Sequence, residues 1–263
     1  MRLVEDDKGM EEKDFDIEFP ECEGDVLSQD QEYCLVRLQG RTERIRLHDY
    51  HEIYRIPGLY ECLFCKRLRY RSPEVVVSLL MGEVEKSSFR AHELSVLDIG
   101  AGNGLAGEAL REKGVTSIVG MDIVPEALKA VRRDRPDVYD DYYVEDLAAL
   151  SDKTLEKLKA RRFNCLVSVG SLGFGDIPAP AFARAFSLIG DQGWIAFNIN
   201  EGFMETGEAS GFSRLVKDMI QRGVLQEKIR HRYCHRLSTD GREELFYLAI
   251  VGRKRSSIDI SSL

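Results

Sequence analysis

Apolar and polar positions along residues 92–255 alternate in a way that predicts strands and helices in turn. Short apolar runs are each followed by a stretch with apolar residues at helical spacing. This order is typical of a parallel sheet in an α/β fold. We predict strands at 94–99, 117–122, 141–146, 164–169 and 193–198. We predict helices at 105–113, 125–131, 151–159, 180–189 and 212–222.

The most apolar of these strands, 164–169, is expected at the centre of the sheet. The end of the chain departs from the alternation. Residues 227–237 and 244–252 have strand patterns and are separated by Ser238-Thr-Asp-Gly241. An Asp-Gly pair between two strand patterns is a hairpin signal. The pattern therefore predicts a seven-stranded, mostly parallel sheet that ends in an antiparallel hairpin.

The residues before this pattern divide into two segments. Residues 1–40 are predicted to be an acidic, partly flexible extension, because residues 1–32 carry 13 acidic and only 3 basic side chains. Charge-dense segments poor in aromatic residues tend to stay solvated, so we expect 1–25 to be mobile. A short strand or helix is expected at 33–38. Residues 41–91 are basic and predicted to be helical, and 92–263 form the main domain.

Composition adds limits to this picture. The 263 residues are 43% apolar and 31% charged, as in soluble globular proteins. The longest apolar run, 75–81, is far below the roughly 20 residues of a membrane span. The first residues lack the apolar stretch of a secretory signal, and the six cysteines are scattered. We expect a soluble, cytoplasmic protein with no disulfide framework and no membrane association.

A glycine-rich segment, Asp98-Ile-Gly-Ala-Gly-Asn-Gly104, follows the first parallel strand and opens a helix. Glycine permits positive φ and a close approach of a ligand to the backbone. Residues 102–107 also fit the Gly-x-Gly-x-x-Gly fingerprint of dinucleotide sites, so an NAD(P)-binding oxidoreductase is an alternative. A dinucleotide would place a pyrophosphate beside the negative charge of Asp98. That charge instead favours the ammonium and sulfonium groups of S-adenosylmethionine (SAM).

Two further carboxylates follow at equal spacing. Asp122 and Asp146 lie 24 and 48 residues after Asp98, each at the end of a predicted strand. Ligands of open α/β sheets bind beyond these strand ends. Asp122 can accept hydrogen bonds from both ribose hydroxyls, and Asp146 from an adenine amino group. A turn or cap role is the alternative for each, but the triplet beside three glycines favours a nucleoside site.

Five segments resemble, in order, the motifs of class I SAM-dependent methyltransferases: 96–104, 119–128, 144–147, 163–170 and 193–197. The pattern is most similar to the group that includes the methyltransferase-like 27 type. The resemblance covers residues 92–252 and implies a Rossmann-like α/β fold with helices on both faces of the sheet. It also implies SAM as cofactor and S-adenosylhomocysteine as product. The cofactor-binding residues that it implies are Asp98, Gly100, Ala101, Gly102, Asn103, Gly104, Asp122, Ile123, Asp146, Leu147, Val169 and Gly170.

The loop after the fourth strand departs from one branch of the family. It has Ser171-Leu-Gly-Phe-Gly-Asp176 where some relatives have Asn-Pro-Pro-Tyr or Asp-Pro-Pro-Tyr, which disfavours a base or amide N-methyltransferase of that type. Methyl transfer depends mainly on positioning, and it needs a general base only when the nucleophile is protonated. No catalytic residue is therefore assigned. Loop candidates, with a turn or cap role as the alternative, are Ser171, Asp176, Asn198, Asn200 and Glu201.

Aromatic residues before the glycine loop suggest a cover for the site. Enzymes of similar sequence place an N-terminal helix over the cofactor, and the apolar spacing in 59–64 is helical. We predict a helical lid in 41–91, with ordinary helix packing as the alternative. The predicted substrate or lid residues are Tyr50, Tyr54, Tyr60 and Phe174.

A Cys-x-x-Cys pair, Cys62 and Cys65, lies near His48 and His51 and raises the question of a zinc site. The residues between the two cysteines are apolar and no second pair exists, so we expect no metal. Basic clusters leave nucleic acid as an alternative partner, but the net charge of −8 does not favour it.

These observations predict a SAM-dependent methyltransferase that acts on a small-molecule acceptor by in-line displacement. An RNA or protein methyltransferase, an NAD(P)-binding oxidoreductase and a non-catalytic SAM-binding scaffold are the alternatives.

Overall fold

The computed structural model describes residues 15–20, 27–174, 176–205 and 211–257. Residues 1–14 and 21–25, predicted to be mobile, lie outside the described residues, as does Cys22. The strands are β1 (Phe15–Glu18), β2 (Tyr33–Leu38), β3 (Arg41–Arg46), β4 (Ser95–Ile99), β5 (Ser117–Asp122), β6 (Asp141–Val144), β7 (Cys165–Ser168), β8 (Trp194–Asn200), β9 (Leu225–Leu237) and β10 (Glu244–Lys254). The α-helices are α1 (Tyr50–Arg55), α2 (Ser72–Glu85), α3 (Leu105–Glu112), α4 (Pro125–Asp134), α5 (Asp152–Ala160), α6 (Ala179–Ser187) and α7 (Phe212–Gln221). A π-helix spans Glu61–Arg67, and short 3₁₀ turns span Ala91–Glu93, Leu147–Ala149 and Glu201–Met204.

The predicted seven-stranded sheet is confirmed. Its strand order is β6-β5-β4-β7-β8-β10-β9, and strands β4 to β8 run parallel to one another. Strand β10 runs antiparallel to both β8 and β9, which is the predicted terminal hairpin. The most apolar strand, β7, is the middle strand and is fully buried, because helices cover both of its faces.

Helices pack on both faces of this sheet, as predicted. Alternate residues of β4 point to opposite faces. Leu97 lies in the core cluster that includes Phe182 of α6. Val96 lies in the cluster that includes Leu80 of α2 and Leu110 of α3. Helix α2 therefore precedes the sheet in sequence but packs against it as an integral layer.

The N-terminal segment contains a second, three-stranded antiparallel sheet in the order β1-β2-β3. The prediction of helix from residue 41 is wrong for Arg41–Arg46, which form β3. The reason is the turn at Gln39 and Gly40, whose φ values of 48° and 77° fit a two-residue hairpin turn. This turn also makes Tyr33–Leu38 a strand, which decides between the two predicted alternatives. Helix begins only at Tyr50.

A buried ion pair joins this N-terminal sheet to the terminal hairpin. The guanidinium of Arg236 on β9 donates to Glu32, and Glu32 Oε1 also accepts from the Thr239 amide at 2.6 Å. Glu32 and Arg236 are 1% and 2% exposed. The pair stabilises the contact between the two elements, because loss of either partner would leave the other charge buried without compensation.

No helix within the described ranges is long and apolar enough to cross a membrane. The five cysteines of the described part are free thiols: Cys34, Cys62, Cys65, Cys165 and Cys234.

The Glu32–Arg236 pair gives a first prediction. Glu32→Gln leaves the Arg236 charge buried without its counter-charge, so the free energy of unfolding should fall by roughly 3 kcal/mol. Urea unfolding followed by circular dichroism measures this. The control is Glu18→Gln, which breaks the Arg37–Glu18 pair; those side chains are 54% and 51% exposed. The control should change stability by less than about 1 kcal/mol. Equal effects of the two variants would contradict the prediction.

Candidate active site

A cleft of about 930 Å³, including the part open to solvent, lies at the carboxyl ends of β4, β5, β6 and β7. The chain winds from β4 outward to β6 and then crosses to β7, so β4 and β7 flank the point where strand order reverses. Ligands of open α/β sheets bind at this point. The structure brings most of the predicted cofactor residues to this cleft: Gly100, Ala101, Gly102, Asn103, Asp122, Ile123, Asp146, Leu147, Val169 and Gly170.

The glycine loop between β4 and α3 is shaped by close contacts. Gly102 has a φ of +54°, in the left-handed region that favours glycine. A Cβ on Gly102 would lie 2.4 Å from Tyr54 Oη, so the loop accommodates the N-terminal segment as well as a ligand. Tyr142 Oη donates to the Gly102 carbonyl at 2.8 Å. Gly104 begins α3 and faces α4 rather than the cleft.

Asp122 at the end of β5 is held by two backbone amides. Its Oδ2 accepts from Gly102 N at 2.8 Å and its Oδ1 from Val124 N at 2.9 Å. Burial raises the pKa of this carboxyl group, against the effect of those hydrogen bonds. The Ile123 amide also stabilises this carboxylate. A carboxylate has about four acceptor positions, so acceptor capacity remains for a hydroxyl donor in the cleft.

Polar and apolar groups meet at the wall formed by the ends of β5 and β6. Asp146 caps a short turn, with its Oδ1 accepting from Ala148 N at 2.8 Å. Leu147 lies beside it and lines the cleft. Ile123 is 60% exposed and lines the cleft as well. A flat apolar ring can pack here with a hydrogen-bond acceptor at its edge.

Asp98 lies below the glycine loop rather than in the cleft. It is 1% exposed, and β4 points it away from the face that carries Leu97 and Ile99. Its Oδ2 accepts a hydrogen bond of 2.7 Å from Tyr139 Oη. Burial raises the pKa of Asp98 to about 7, although the Tyr139 hydrogen bond acts to lower it. Tyr139 was not among the residues that the sequence singled out.

Two of the predicted catalytic candidates, Ser171 and Asp176, line the cleft. Ser171 Oγ already lies 2.8 Å from Ser168 Oγ and donates to the Ile99 carbonyl at 3.3 Å, so it joins the ends of β4 and β7. Asp176 lies on the loop after β7. Its carboxylate lies near His48, with Oδ2 at 3.6 Å from His48 Nδ1.

The other loop candidates, Asn198, Asn200 and Glu201, do not line the cleft. Asn198 is fully buried, and its Oδ1 accepts from Gly170 N at 2.7 Å, which fixes the end of β7 from behind. Glu201 forms a two-pronged, exposed pair with Arg232. Asn200 donates to Gln29 at 2.9 Å. These three side chains support loops and strands.

A row of tyrosines covers the cleft. Tyr50 and Tyr54 have ring centroids 5.9 Å apart, and Tyr54 and Tyr60 have centroids 5.4 Å apart. All three line the cleft, as does Tyr70, which sequence reasoning missed. Burial raises the pKa of each hydroxyl. Gly170 must lack a side chain because its Cβ would lie 2.6 Å from Tyr70 Oη.

Polar contacts fasten the π-helix to the glycine loop. Glu61 Oε1 accepts from Asn103 Nδ2 and from Arg135 Nη1, both at 2.8 Å. Arg135 Nε also donates to Glu108 at 2.8 Å. Glu61, Arg135 and Glu108 are charges of alternating sign. Sequence reasoning did not find this cluster, because its members are 27 to 74 positions apart in the chain.

A second, smaller cavity of about 430 Å³ adjoins the cleft. Phe174 lines this cavity and not the cleft. Five residues line both cavities and mark where they meet: Tyr50, Tyr60, Tyr70, Gly170 and Asp176. The second cavity is also lined by His48, His235 and Arg236.

In the described part of the chain, no group of three or more His, Cys, Asp or Glu side chains is placed to hold a metal ion. Cys62 and Cys65 lie on the π-helix.

Comparisons with known proteins place the chain in a family. Residues 67–209, more than half of the chain, match the methyltransferase-domain family, and the chain belongs to it. None of the curated proteins matches this sequence. The resemblance to class I methyltransferases is thereby confirmed for the family, whereas the methyltransferase-like 27 type stays a prediction.

Two solved structures share the fold. The N-methyltransferase NodS from Bradyrhizobium japonicum, solved with S-adenosylhomocysteine, is 13% identical with a TM-score of 0.54; the match covers 79% of this chain and 97% of NodS. A SAM-dependent methyltransferase from Clostridium acetobutylicum is 11% identical with a TM-score of 0.51, over 76% of this chain and 97% of that one. At these identities the likeness concerns the fold alone.

The buried carboxyl group of Asp98 gives a second prediction. Because its folded-state pKa of about 7 exceeds its ordinary value, the folded protein holds a proton that the unfolded chain has already released. This contribution to stability is complete below the ordinary aspartate pKa of about 3.9 and is lost as the pH rises to about 7. Its slope reaches at most about 1.4 kcal/mol per pH unit. Asp98→Asn should lack this component.

The measurement is the free energy of unfolding of both proteins between about pH 5 and pH 8, in one buffer series. The other titrating groups are common to both proteins and cancel in the difference. Parallel curves would show that Asp98 is ionised in the fold across this range.

Proposed function

We propose that this chain is a SAM-dependent methyltransferase that transfers a methyl group to a small-molecule acceptor by in-line displacement. The observation that carries the proposal is the pair of adjoining cavities at the end of β7. One has the size and polar groups for a nucleoside cofactor, and the other is a smaller, partly open space for a second molecule. Membership of the methyltransferase-domain family favours this proposal over the dinucleotide alternative.

The residues of the cleft fit the parts of SAM. Asp122 would accept the ribose hydroxyls with its remaining acceptor positions, and Asp146 would accept from the adenine amino group. Ile123 and Leu147 would pack on the adenine ring. The backbone of residues 100–103 would hold the methionine end. When bound, SAM supplies a methyl group on a positively charged sulfur, which makes that carbon electrophilic.

Asp98 would act on the cofactor only through the loop above it. Its hydrogen bond with Tyr139 fixes β4 at the point where the loop begins. Val169 and Gly170 would lie beneath the cofactor, with the Gly170 amide held by Asn198. These are positioning roles.

The N-terminal segment would serve as the lid over the site. Tyr50, Tyr54 and Tyr60 form an aromatic wall of the cleft, and Tyr50 and Tyr60 also line the second cavity. Excluding water strengthens the electrostatic interactions inside a site and keeps reacting groups in line. We therefore propose residues 41–91 as the lid segment, 92–263 as the methyltransferase domain and 1–40 as an acidic extension.

The second cavity supports a small acceptor rather than RNA or protein. Its volume of about 430 Å³ includes the part open to solvent, so it leaves room only for a small molecule or group. A macromolecular acceptor would have to insert a single base or side chain past the tyrosines.

Asp122 gives the third prediction. Asp122→Asn removes the negative charge and replaces one acceptor oxygen by an NH₂ group. A hydrogen bond to a charged group contributes about 1.5–3 kcal/mol. The affinity for S-adenosylhomocysteine should therefore fall by roughly 10- to 100-fold. Calorimetric titration measures it. The control is Asp152→Asn at the exposed start of α5, which should bind as the wild type does.

A folded wild type that does not bind S-adenosylhomocysteine would refute the proposed cofactor. Titration with NADH tests the dinucleotide alternative in the same protein. Tight cofactor binding without methylation of any tested small molecule, RNA or protein would instead leave the non-catalytic scaffold.

A further inference from the structure

We propose that the second cavity is the acceptor chamber and that it takes a small amine, which enters as an ammonium ion. In this proposal Asp176 attracts the ammonium group and His48 removes its proton. The inference rests on the proposed function, because it assigns the acceptor of that same site.

The chamber opens to the cleft at one place. Gly170 and Asp176, both after β7, line the two cavities together with Tyr50, Tyr60 and Tyr70. A group bound at Asp176 therefore lies at the junction of the acceptor chamber and the cofactor cleft. This is where a nucleophile and a methyl donor can meet in line.

The charges around the chamber favour a cation. Arg236 is neutralised by its buried pair with Glu32. Burial, followed by the charge of Arg236, holds the pKa of His235 well below its ordinary value, so this imidazole is neutral. Asp176 thus adds a negative charge that His48 balances only when protonated. The charge of Asp176 also acts on the chamber wall: burial raises the pKa of the Tyr50 hydroxyl, and the negative charge of Asp176 raises it further.

Aromatic rings supply the rest of the wall. The aromatic residues that line the chamber are Tyr50, Tyr60, Phe64, Tyr70, Phe174 and Tyr247. Aromatic rings attract a cation through their electron-rich faces, and this attraction grows when water is excluded. A neutral alcohol would gain little from these rings beyond burial, and an anion would be repelled by Asp176. An ammonium ion gains from both the rings and the carboxylate.

His48 is built to take a proton. Its side chain is 14% exposed, and its ring is held between Tyr50, at a centroid distance of 5.9 Å, and Phe174, at 5.3 Å. The buried Nδ1 has no hydrogen-bond partner among the described residues, and Asp176 Oδ2 lies 3.6 Å away. The carboxylate favours the tautomer with hydrogen on Nδ1, which leaves Nε2 as the basic nitrogen.

Other ionisable groups also face His48 from neighbouring elements. Asp30 interacts with His48 through its charge, from the turn before β2. Arg236 and His235 line the chamber from β9, the first paired with Glu32 and the second neutral. Two carboxylates thus face the imidazole.

The step balances as follows. The ammonium ion gives one proton to His48 Nε2, and the electron pair of that N–H bond stays on nitrogen. This pair forms the new N–C bond to the methyl group while the S–C bond breaks, with its electrons remaining on sulfur. The products are an N-methylammonium ion, neutral S-adenosylhomocysteine and a proton on His48, which passes to solvent. Asp176 stabilises the imidazolium that forms.

The test begins with binding. Wild-type protein is saturated with S-adenosylhomocysteine and titrated calorimetrically with benzylamine and with benzyl alcohol, which has the same shape without the charge. We expect benzylamine to bind at least about tenfold more tightly, as an ion pair with cation–π contacts would give. In Asp176→Asn, measured at saturating S-adenosylhomocysteine, this preference should disappear. The matched control is Glu52→Gln, an acidic residue of α1 that lines neither cavity.

The outcomes separate the two proposals. Absence of S-adenosylhomocysteine binding refutes the proposed function. Binding of S-adenosylhomocysteine with no preference for benzylamine over benzyl alcohol refutes the amine chamber and leaves the proposed function standing. The wild-type comparison of the two probes needs no variant, so it decides the point even if Asp176→Asn misfolds.

The role of His48 is tested by the split between binding and turnover. With SAM and benzylamine, the product N-methylbenzylamine is measured by mass spectrometry. His48→Gln should lower kcat by about 100-fold or more, the usual share of a general base, and leave the benzylamine affinity within about threefold. His51→Gln, whose side chain is 60% exposed on α1, three residues after His48, should match the wild type.

A His48→Gln variant with unchanged kcat, or one that loses binding and turnover equally, would refute the role of His48 as base. Failure of the wild type to methylate the benzylamine that it binds would refute the catalytic half of the proposal.

Discussion

The contact between Tyr54 and Gly102 is the constraint on which the rest of the site depends. Gly102 can take its positive φ and admit the Tyr54 hydroxyl only because it has no side chain. The same residue donates its amide to Asp122 and accepts from Tyr142 through its carbonyl. One backbone position thus joins the lid segment, the β5 carboxylate and the β6 strand. A ligand in the cleft is therefore in contact with a part of the chain that precedes the sheet in sequence.

The two cavities follow from this docking. Three of the tyrosines that cover the cleft, Tyr50, Tyr60 and Tyr70, also line the smaller cavity, and Gly170 after β7 lines both. Asn198 holds the Gly170 amide from one side, and Tyr70 packs against its Cα from the other. The central strand of the sheet therefore ends at the junction of cofactor cleft and acceptor chamber. The contacts of Gly170 with Asn198 and Tyr70 therefore stabilise the fold and shape both cavities.

The charged groups of this protein differ in the partners that surround them, and these partners indicate different roles. Glu32 and Arg236 neutralise each other and join two sheets. Asp98 is buried with only a tyrosine hydroxyl as partner, and its pKa rises to about 7. Asp176 faces both cavities beside an imidazole whose nearby nitrogen has no hydrogen-bond partner in the described part of the chain. Only the last setting leaves charge available to a ligand.

The chain by itself determined the mostly parallel main sheet, its central strand and its terminal hairpin. It also determined that Gly102, Asp122 and Asp146 lie at strand ends, because these features depend on local periodicity and on where strands end. The sequence did not show that Arg41–Arg46 form a strand, since that depends on a turn at Gln39 and Gly40 and on pairing with β2. Tertiary structure alone decided that Asp98 lies under the loop. It also decided that His48 meets Asp176, because contacts between residues 128 positions apart leave no periodic signal in the chain.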